Sequence, residues 1–368
     1  MNHNLLLFFT IASCLLTIRQ GASGIGIEYG LLGDNLPPPE KVICLIKAMN
    51  FKKVRIYHPN FNVLSALGGS GLQVMVGVRN EDIQAIAFNP GLATRWVKDL
   101  IQNAHDVEFS CISVGNEIIP GDLATFVLPA MQNIDLALKS ANLKVPVSTV
   151  VSMAVLGSSY PPSSASFDSL ISSSMVDIVN FLSTNGYPFL VNVYPYFAYA
   201  SDPVNIPLDY AIFGSNSYAV MDGMLSYQNL FDAMVDSVYY ALDRASAQNV
   251  KIIVAETGWP SAGNGDKMTI TNAMTYNQNL VKRVLFGKGV EVEAYIFAMF
   301  NEDLKPEGVE QNWGLFYPNL TEVYHLDIFD ENAENPRACE AHRSSSTKLA
   351  NSFLAMLMCI VVAAFSFY

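Results

Sequence analysis

Short apolar runs alternate with longer segments of helical periodicity between residues 24 and 330. The runs have the length of β-strands and are rich in β-branched residues. There are eight of them: Gly24–Gly30, Val54–Tyr57, Leu72–Val78, Cys111–Glu117, Val145–Ser152, Phe189–Tyr196, Lys251–Gly258 and Glu293–Phe300. The clearest helical segments are Pro39–Asn50, Gly91–Asn103, Asp122–Asn142, Met175–Ser183, Asn229–Ser246 and Thr271–Phe286. This pattern predicts a parallel sheet that helices cover on both faces.

The number of strand-like runs favours a closed sheet. Eight strands with helical crossovers in about 300 residues are typical of an α/β fold of the (β/α)8 TIM-barrel type. No Pro/Ser-rich linker or block of charge interrupts residues 24–330, so we expect a single domain there. A doubly wound open sheet is the structural alternative.

The first residues have the pattern of a targeting segment. An apolar run, Leu5–Ile18, is shorter than a membrane span and is followed by the small residues Gly21, Ala22 and Ser23. Small residues after an apolar run suit signal-peptidase cleavage, and we predict a secretory signal peptide at 1–23. A buried N-terminal helix is the alternative, because no Lys or Arg precedes the run.

The last residues predict a lipid anchor. Serines 344–346 lead through Thr347 and Lys348 into an apolar tail, Leu349–Tyr368. This order is typical of a glycosylphosphatidylinositol (GPI) signal, with attachment at Ser344, a spacer at 331–344 and a removed propeptide at 345–368. A transmembrane helix is the alternative, but it would usually carry Lys or Arg beyond the span. We therefore expect a secreted protein on the outer face of the plasma membrane, in the cell wall or apoplast.

Charge narrows the range of partners. The net charge of −12 and pI of about 4.8 argue against nucleic acid or an anionic membrane surface, since both require basic patches. A neutral polymer such as a polysaccharide remains compatible, and we expect a monomer. The sequon at Asn319 predicts a glycosylation site.

Cysteine and histidine give no sign of a metal or cofactor site. The signal and the tail contain Cys14 and Cys359, which leaves Cys44, Cys111 and Cys339. One pair of these could form a disulfide, although Cys111, in an apolar strand, is expected to be a buried free thiol. The histidines are isolated, and no P-loop or GxSxG motif occurs. We expect neither a metal nor a cofactor.

Two carboxylates stand at the ends of predicted strands. Glu117 ends the fourth strand and Glu256 ends the seventh. In a barrel these C-terminal ends surround one central cleft, where an active site would lie. A protonated and an ionised carboxyl facing one cleft are what glycoside hydrolysis requires. We expect Asn116 to bond a sugar hydroxyl there, the alternative being that each glutamate is a solvated strand-end residue and Asn116 braces the loop.

The motifs that run along the chain resemble those of plant glucan endo-1,3-β-glucosidases, glycoside hydrolase family 17. They are Gly26-Ile27-Glu28-Tyr29-Gly30, Leu32-Gly33-Asp34-Asn35-Leu36-Pro37, Val54-Arg55-Ile56-Tyr57, Val74-Met75-Val76-Gly77-Val78, Val114-Gly115-Asn116-Glu117, Asn192-Val193-Tyr194-Pro195-Tyr196-Phe197, Val254-Ala255-Glu256-Thr257-Gly258-Trp259-Pro260-Ser261, Phe300-Asn301-Glu302 and Asn312-Trp313-Gly314-Leu315-Phe316. The resemblance covers nearly all of residues 24–330.

The resemblance implies retaining endo-hydrolysis of β-1,3-glucan, a callose-like wall polymer, with Glu117 as acid/base and Glu256 as nucleophile. It also implies that Glu302, Lys305 and Glu310 surround the nucleophile and contribute to substrate binding, with Lys305 orienting the site rather than reacting. Two alternatives remain: a catalytically weak glucan-binding wall protein on the same fold, and a transglycosylase that uses the same covalent intermediate.

Aromatic residues near strand ends are candidate sugar-stacking platforms, and we expect Tyr29, Tyr194 and Phe197 at the cleft. Some residues depart from the family pattern: Glu28 stands where Asn or Cys is common, His58 where Asp is common, and Arg79 where Pro is common. As a third carboxylate near the barrel mouth, Glu28 could perturb the pKa of Glu117 or alter a subsite. We interpret His58 as a loop or helix-entry residue.

Overall fold

The computed structural model describes residues 24–214, 220–263, 265–287 and 290–328. The predicted signal peptide, spacer, Ser344 and propeptide lie outside these ranges and stay predictions. Within the same ranges, none of the helices combines the length and the apolar character needed to span a bilayer.

Eight parallel strands form a closed barrel in the described part of the chain. They are β1 (Ile25–Glu28), β2 (Lys53–Ile56), β3 (Gln73–Val78), β4 (Glu108–Asn116), β5 (Val147–Ser152), β6 (Phe189–Asn192), β7 (Ile252–Thr257) and β8 (Glu293–Ile296). Each strand pairs with its neighbour in chain order, and β1 closes the ring by pairing Ile25 with Ala294 of β8. The prediction of a (β/α)8 barrel is confirmed, and the open-sheet alternative is wrong.

Helices connect the strands. They are α1 (Pro39–Ala48), α2 (Phe61–Leu67), α3 (Ile83–Phe88), α4 (Pro90–Asn103), α5 (Ala124–Ser140), α6 (Ser172–Asn185), α7 (Pro195–Ser201), α8 (Leu208–Ala211), α9 (Leu230–Arg244) and α10 (Ile270–Phe286). Side-chain caps fix several starts: Asn89 accepts from the Gly91 N–H, and Thr269 accepts from the Asn272 N–H. All six predicted helices are present, and the sequence reading missed the shorter helices α2, α3, α7 and α8.

Two strand predictions extend too far toward the C-terminus. The eighth run was predicted to reach Phe300, but β8 ends at Ile296. The sixth run was predicted to extend to Tyr196, but β6 ends at Asn192 and α7 begins at Pro195. Proline suits the first turn of a helix, where its missing N–H costs nothing. Two antiparallel hairpins, at 156–167 and 220–227, lie outside the barrel sheet.

The barrel interior is packed below the strand ends. One small buried cluster takes a single residue from each of six neighbouring strands: Met75, Cys111, Val150, Leu190, Ala255 and Tyr295. Cys111 is a free buried thiol, as predicted, and burial raises its pKa to about 12. Cys44 is disulfide-bonded. The apolar interior gives the polar groups above it a rigid floor.

Candidate active site

Polar side chains come from the C-terminal ends of several strands. Glu28 ends β1, Asn116 ends β4 and Asn192 ends β6, while Glu256 is the last residue but one of β7. Asn192 and Glu256 are paired in register across β6 and β7. The strand ends therefore bring these groups to one edge of the barrel, the edge where TIM-barrel enzymes have their active sites.

Glu256 is a buried carboxylate that accepts three hydrogen bonds. The residue is 6% exposed. Arg55 Nη1 donates to Oε1 at 2.9 Å, the Tyr57 hydroxyl donates to the same oxygen at 2.8 Å, and the Tyr194 hydroxyl donates to Oε2 at 2.8 Å. Burial, followed by the charge of Glu256, raises the pKa of both tyrosines, so both keep their protons. Such a donor set suits an ionised carboxylate held in one orientation.

Glu117 lies in a different environment, one residue beyond β4. Its backbone has a φ of 54°, and Gly115 has a φ of 81°, so the strand turns sharply at this point. A register shift lies between Ser113 and Asn116 in the pairing with β5. Left-handed backbone is uncommon for glutamate and is typical of functional sites. The side chain of Glu117 is exposed, and Asn192 Nδ2 donates to its Oε1 at 2.8 Å.

The two glutamates also differ in their electrostatics. Partial desolvation by the cleft walls, followed by the negative charge of Glu256, raises the pKa of Glu117 above its ordinary value of 4.5. The hydrogen bond from Asn192 and the charge of Arg55 oppose this rise. A raised pKa favours the protonated form, which a general acid requires.

Asn116 connects the surroundings of the two carboxyls. Its Oδ1 accepts from Arg55 Nη2 at 2.8 Å and from Asn192 Nδ2 at 3.4 Å. Its backbone exchanges two hydrogen bonds, each 2.9 Å long, with the Asn80 side chain. Among the described residues its own Nδ2 has no hydrogen-bond acceptor, which leaves that donor available for a ligand.

Glu302, Lys305 and Glu310 lie in the segment after β8. Glu302 is buried, and it accepts from the Leu32 N–H at 2.6 Å and pairs with Lys305 Nζ at 2.8 Å. Lys305 Nζ also lies 4.0 Å from the centre of the Phe297 ring. Glu310 is half-buried, and its charge adds to the rise in the pKa of Glu117. The predicted substrate contacts of these three residues stay predictions.

The predicted aromatic platforms lie in different places. Phe197 is 47% exposed and, with half-buried Tyr194, lines a cavity of about 770 Å³ that also includes Glu117 and Asn192. Tyr29 is only 1% exposed and packs edge-on against Phe300. Since a ring buried to this extent presents no face to the cleft, the structure does not support Tyr29 as a sugar-stacking residue.

Several residues at the site were missed by the sequence reading. Arg55 and Asn192 were recognised only as parts of motifs, and Tyr57, one of the aromatic residues near strand ends considered for sugar stacking, was not predicted to donate to Glu256. An arginine inside an otherwise apolar strand was the available signal, because a buried guanidinium needs carboxylate partners. Glu28, expected as a possible influence on the pKa of Glu117, instead accepts a hydrogen bond from Arg55. The carboxylate that chiefly raises the pKa of Glu117 is Glu256.

In the described part of the chain, two further predicted residues, His58 and Asn319, contact neither carboxyl. His58 Nδ1 is 3.3 Å from Arg79 Nη2 near the surface, which agrees with its interpretation as a loop residue. Asn319 is exposed, with Oδ1 accepting from the Thr321 N–H at 3.0 Å, and its glycosylation stays a prediction.

The chain is similar to known plant hydrolases over most of its length. It is 44% identical over 335 residues to a glucan endo-1,3-beta-glucosidase of Vitis vinifera, covering 88% of this chain and 96% of that protein. It is 42% identical over 310 residues to lichenase-2 of Hordeum vulgare, covering 83% and 98% respectively. The structure of a β-1,3-glucanase and allergen of Cryptomeria japonica pollen has a TM-score of 0.80 and 43% identity, covering 84% of this chain and all of that one. Residues 25–328 match the family described as Glycosyl hydrolases family 17, and the chain therefore belongs to this family of glycoside hydrolases.

Proposed function

We propose that this protein cleaves β-1,3-glucan internally with retention of configuration, using Glu256 as nucleophile and Glu117 as acid/base. The observation that carries the proposal is the contrast between the two carboxyls. Glu256 is buried under three donors, whereas Glu117 is exposed in the cleft and has a raised pKa. One group is thus prepared to attack as a carboxylate, and the other to give up a proton.

The reaction follows from these two states. A carboxylate oxygen of Glu256 bonds to the anomeric carbon as the glycosidic C–O bond breaks, and the Glu117 proton goes to the departing oxygen. The resulting carboxylate of Glu117 then takes a proton from water, whose oxygen attacks the same carbon and releases Glu256. Two inversions at one carbon give net retention. The mechanism requires the two carboxyl groups to be about 5 to 5.5 Å apart.

A neutral polysaccharide fits the charge and shape of the protein. The acidic net charge of −12 disfavours polyanions, and the cavity of about 770 Å³ lined by Tyr194 and Phe197 offers aromatic surface to pyranose rings. Similarity to the Vitis vinifera glucosidase supports the β-1,3 linkage, and a callose-like wall polymer is the substrate we infer. Similarity to a lichenase makes mixed-linkage glucan the appropriate comparison substrate.

Hydrolysis is tested with the secreted chain ending at Ser344, incubated with linear β-1,3-glucan and with mixed-linkage glucan. New reducing ends with a rapid fall in chain length indicate endo-cleavage, and NMR of the first anomeric product reports retention. We expect Glu256→Gln to lose activity about a thousandfold or more. Glu108→Gln is the matched control, because Glu108 is exposed at the opposite end of β4 from the site.

The same assay separates the two alternatives. Glucan binding without new reducing ends, in wild type as in Glu256→Gln, would instead support a glucan-binding wall protein. Products longer than a concentrated oligosaccharide substrate would support transglycosylation, in which a sugar hydroxyl replaces water in the second step.

We further propose that the protein acts as a monomer, GPI-anchored to the outer face of the plasma membrane. The support is the sequence pattern of small residues, polar spacer and apolar tail at its end. Phosphatidylinositol-specific phospholipase C should release the mature chain, residues 24–344, from intact cells as a monomer. Retention of the chain in the membrane after this treatment would contradict the anchor.

A further inference from the structure

One buried guanidinium nitrogen serves two buried carboxyls. Glu28 at the end of β1 is 0% exposed, and Arg55 on β2 is 1% exposed. Arg55 Nη1 lies 2.9 Å from Glu28 Oε1 and 2.9 Å from Glu256 Oε1, and it also donates to the Ala255 carbonyl at 3.0 Å. Glu28 and Glu256 therefore compete for the same positive group.

The two carboxyls are not equally supplied with donors. Glu256 accepts hydrogen bonds from Arg55, Tyr57 and Tyr194, each 2.8 or 2.9 Å long. The Glu28 carboxyl accepts one bond of 2.9 Å, from Arg55, and the Tyr57 hydroxyl, which donates to Glu256, also acts on Glu28 and lowers its pKa. Glu28 Oε2 is buried without a hydrogen-bond partner among the described residues. A buried, ionised carboxylate oxygen without a donor is costly in free energy. Of the two carboxyls, Glu28 is therefore the one that carries a proton, and Glu256 the one that is ionised.

The groups that face Glu28 agree with this distribution. They are Arg55 and Tyr57 from β2, Glu256 from β7 and Tyr194 from the segment after β6. Burial is the largest influence and raises the pKa of Glu28, Arg55 lowers it, and the charge of Glu256 raises it further. The net result is a pKa of about 8.

We propose that Glu28 is a positioning residue that keeps a proton in the working enzyme and thereby leaves Arg55 to hold the nucleophile Glu256. This inference rests on the proposed function. When Glu28 loses its proton, its carboxylate competes with Glu256 for Arg55 Nη1. Glu256 then loses part of the stabilisation and orientation that the positive charge of Arg55 supplies. Attack on the anomeric carbon then slows.

Glu117 would hide this effect in the ordinary reaction, because activity also falls when the general acid loses its proton. The Glu117→Ala enzyme can be assayed on the dinitrophenyl glycoside of a β-1,3-linked glucose oligomer, because dinitrophenolate departs without a proton. The general acid then no longer affects the measured rate. The measured quantity is the rate of phenolate release in the first turnover, from about pH 5 to about pH 10. This step reports on the nucleophile alone.

We expect the Glu117→Ala enzyme to lose first-turnover rate as pH rises through about 8. With Glu28→Gln added, the profile should be flat in that range, because an amide imitates the protonated carboxyl and cannot ionise. Superimposable profiles in the two backgrounds would overturn the proposal, as would a rate that rises in this range.

A second comparison uses β-1,3-glucan and an intact Glu117 at about pH 5. Glu28→Gln should keep kcat within about threefold of wild type, whereas Glu28→Leu, which offers Arg55 no acceptor, should lose about 10- to 100-fold in kcat with little change in KM. Equal damage by Gln and Leu, or no damage by Leu, would contradict the proposal. Glu293→Gln is the control, since Glu293 pairs with Lys53 near the opposite end of the barrel.

Different results would contradict the proposed function and the role of Glu28. A wild-type protein that releases no reducing ends from glucan would overturn the proposed function, and the inference with it. An active enzyme whose pH profile ignores Glu28 would overturn only the inference.

Discussion

Asn192 Nδ2 donates to Glu117 Oε1 at 2.8 Å, while Asn192 is paired in register with Glu256 on the neighbouring strand. One amide therefore connects the acid to the strand of the nucleophile. Because the amide donates to Glu117, it stabilises the ionised form of that carboxyl and lowers its pKa against the larger effects of desolvation and Glu256.

Removing this donor should move the pH profile upward. Asn192→Ala takes away an interaction that favours the charged form of Glu117, so the pKa of Glu117 should rise further. Since the acid must be protonated, the alkaline limb of kcat/KM against pH should shift to higher pH, together with a lower maximum. An unmoved or downward-shifted limb would contradict this role. Asn185→Ala, at the end of α6 far from the cleft, is the control.

The tyrosines that hold Glu256 should matter through their hydroxyl groups. Tyr57→Phe and Tyr194→Phe each remove one hydrogen bond to the nucleophile, which costs about 1 to 3 kcal/mol for a bond to a charged group. We expect each variant to lose about 10- to 100-fold in kcat on glucan. Tyr317→Phe, at an exposed position, should behave as wild type. Undiminished kcat in both site variants would show that the donors do not position Glu256.

Phe197 should act on binding more than on chemistry. It is exposed beside the cavity that includes Glu117, and Phe197→Ala removes a ring face that a pyranose can cover. We expect KM for long glucan to rise about tenfold, with kcat changed by less than about threefold. Phe88→Ala, exposed on α3 outside the barrel, provides the comparison for a lost surface phenyl ring. A fall in kcat at constant KM would assign Phe197 a different role.

Glu28 should make stability depend on pH. Its pKa of about 8 in the folded protein lies above the ordinary 4.5, so the folded state binds more protons between these values. Its contribution is fully present below about pH 4.5 and is lost as pH rises toward 8, with a slope of at most about 1.4 kcal/mol per pH unit. Urea unfolding of wild type and Glu28→Gln should show the wild type losing stability relative to the variant across this window. A constant difference between the two proteins would contradict the assignment.

The sequence predicts the scaffold and the two central glutamates because both follow from local pattern. Two of the apolar runs of strand length end in a glutamate, and this pattern alone places Glu117 and Glu256 at strand ends. An arginine in an apolar strand indicates that Arg55 needs carboxylate partners, but it does not identify them, because Glu28 and Glu256 come from other strands and meet Arg55 only when the barrel closes.

The errors have equally local causes. Apart from Asn192, the run Phe189–Tyr196 is apolar or aromatic, and this pattern alone does not separate a strand from a short buried helix, so the start of α7 at Pro195 was missed. Tyr29 follows β1 directly, and whether its ring meets the cleft or the core depends on the twist at the strand end rather than on composition.

The central claim is that Glu256 forms a covalent bond to the sugar. Mass spectrometry of the enzyme after reaction with an activated fluorinated β-1,3-glucoside, which forms the ester and hydrolyses slowly, tests it most directly. We predict one added glycosyl unit on the peptide that carries Glu256. An added unit on the peptide that carries Glu117, or an unmodified enzyme that releases product of inverted configuration, would contradict the account.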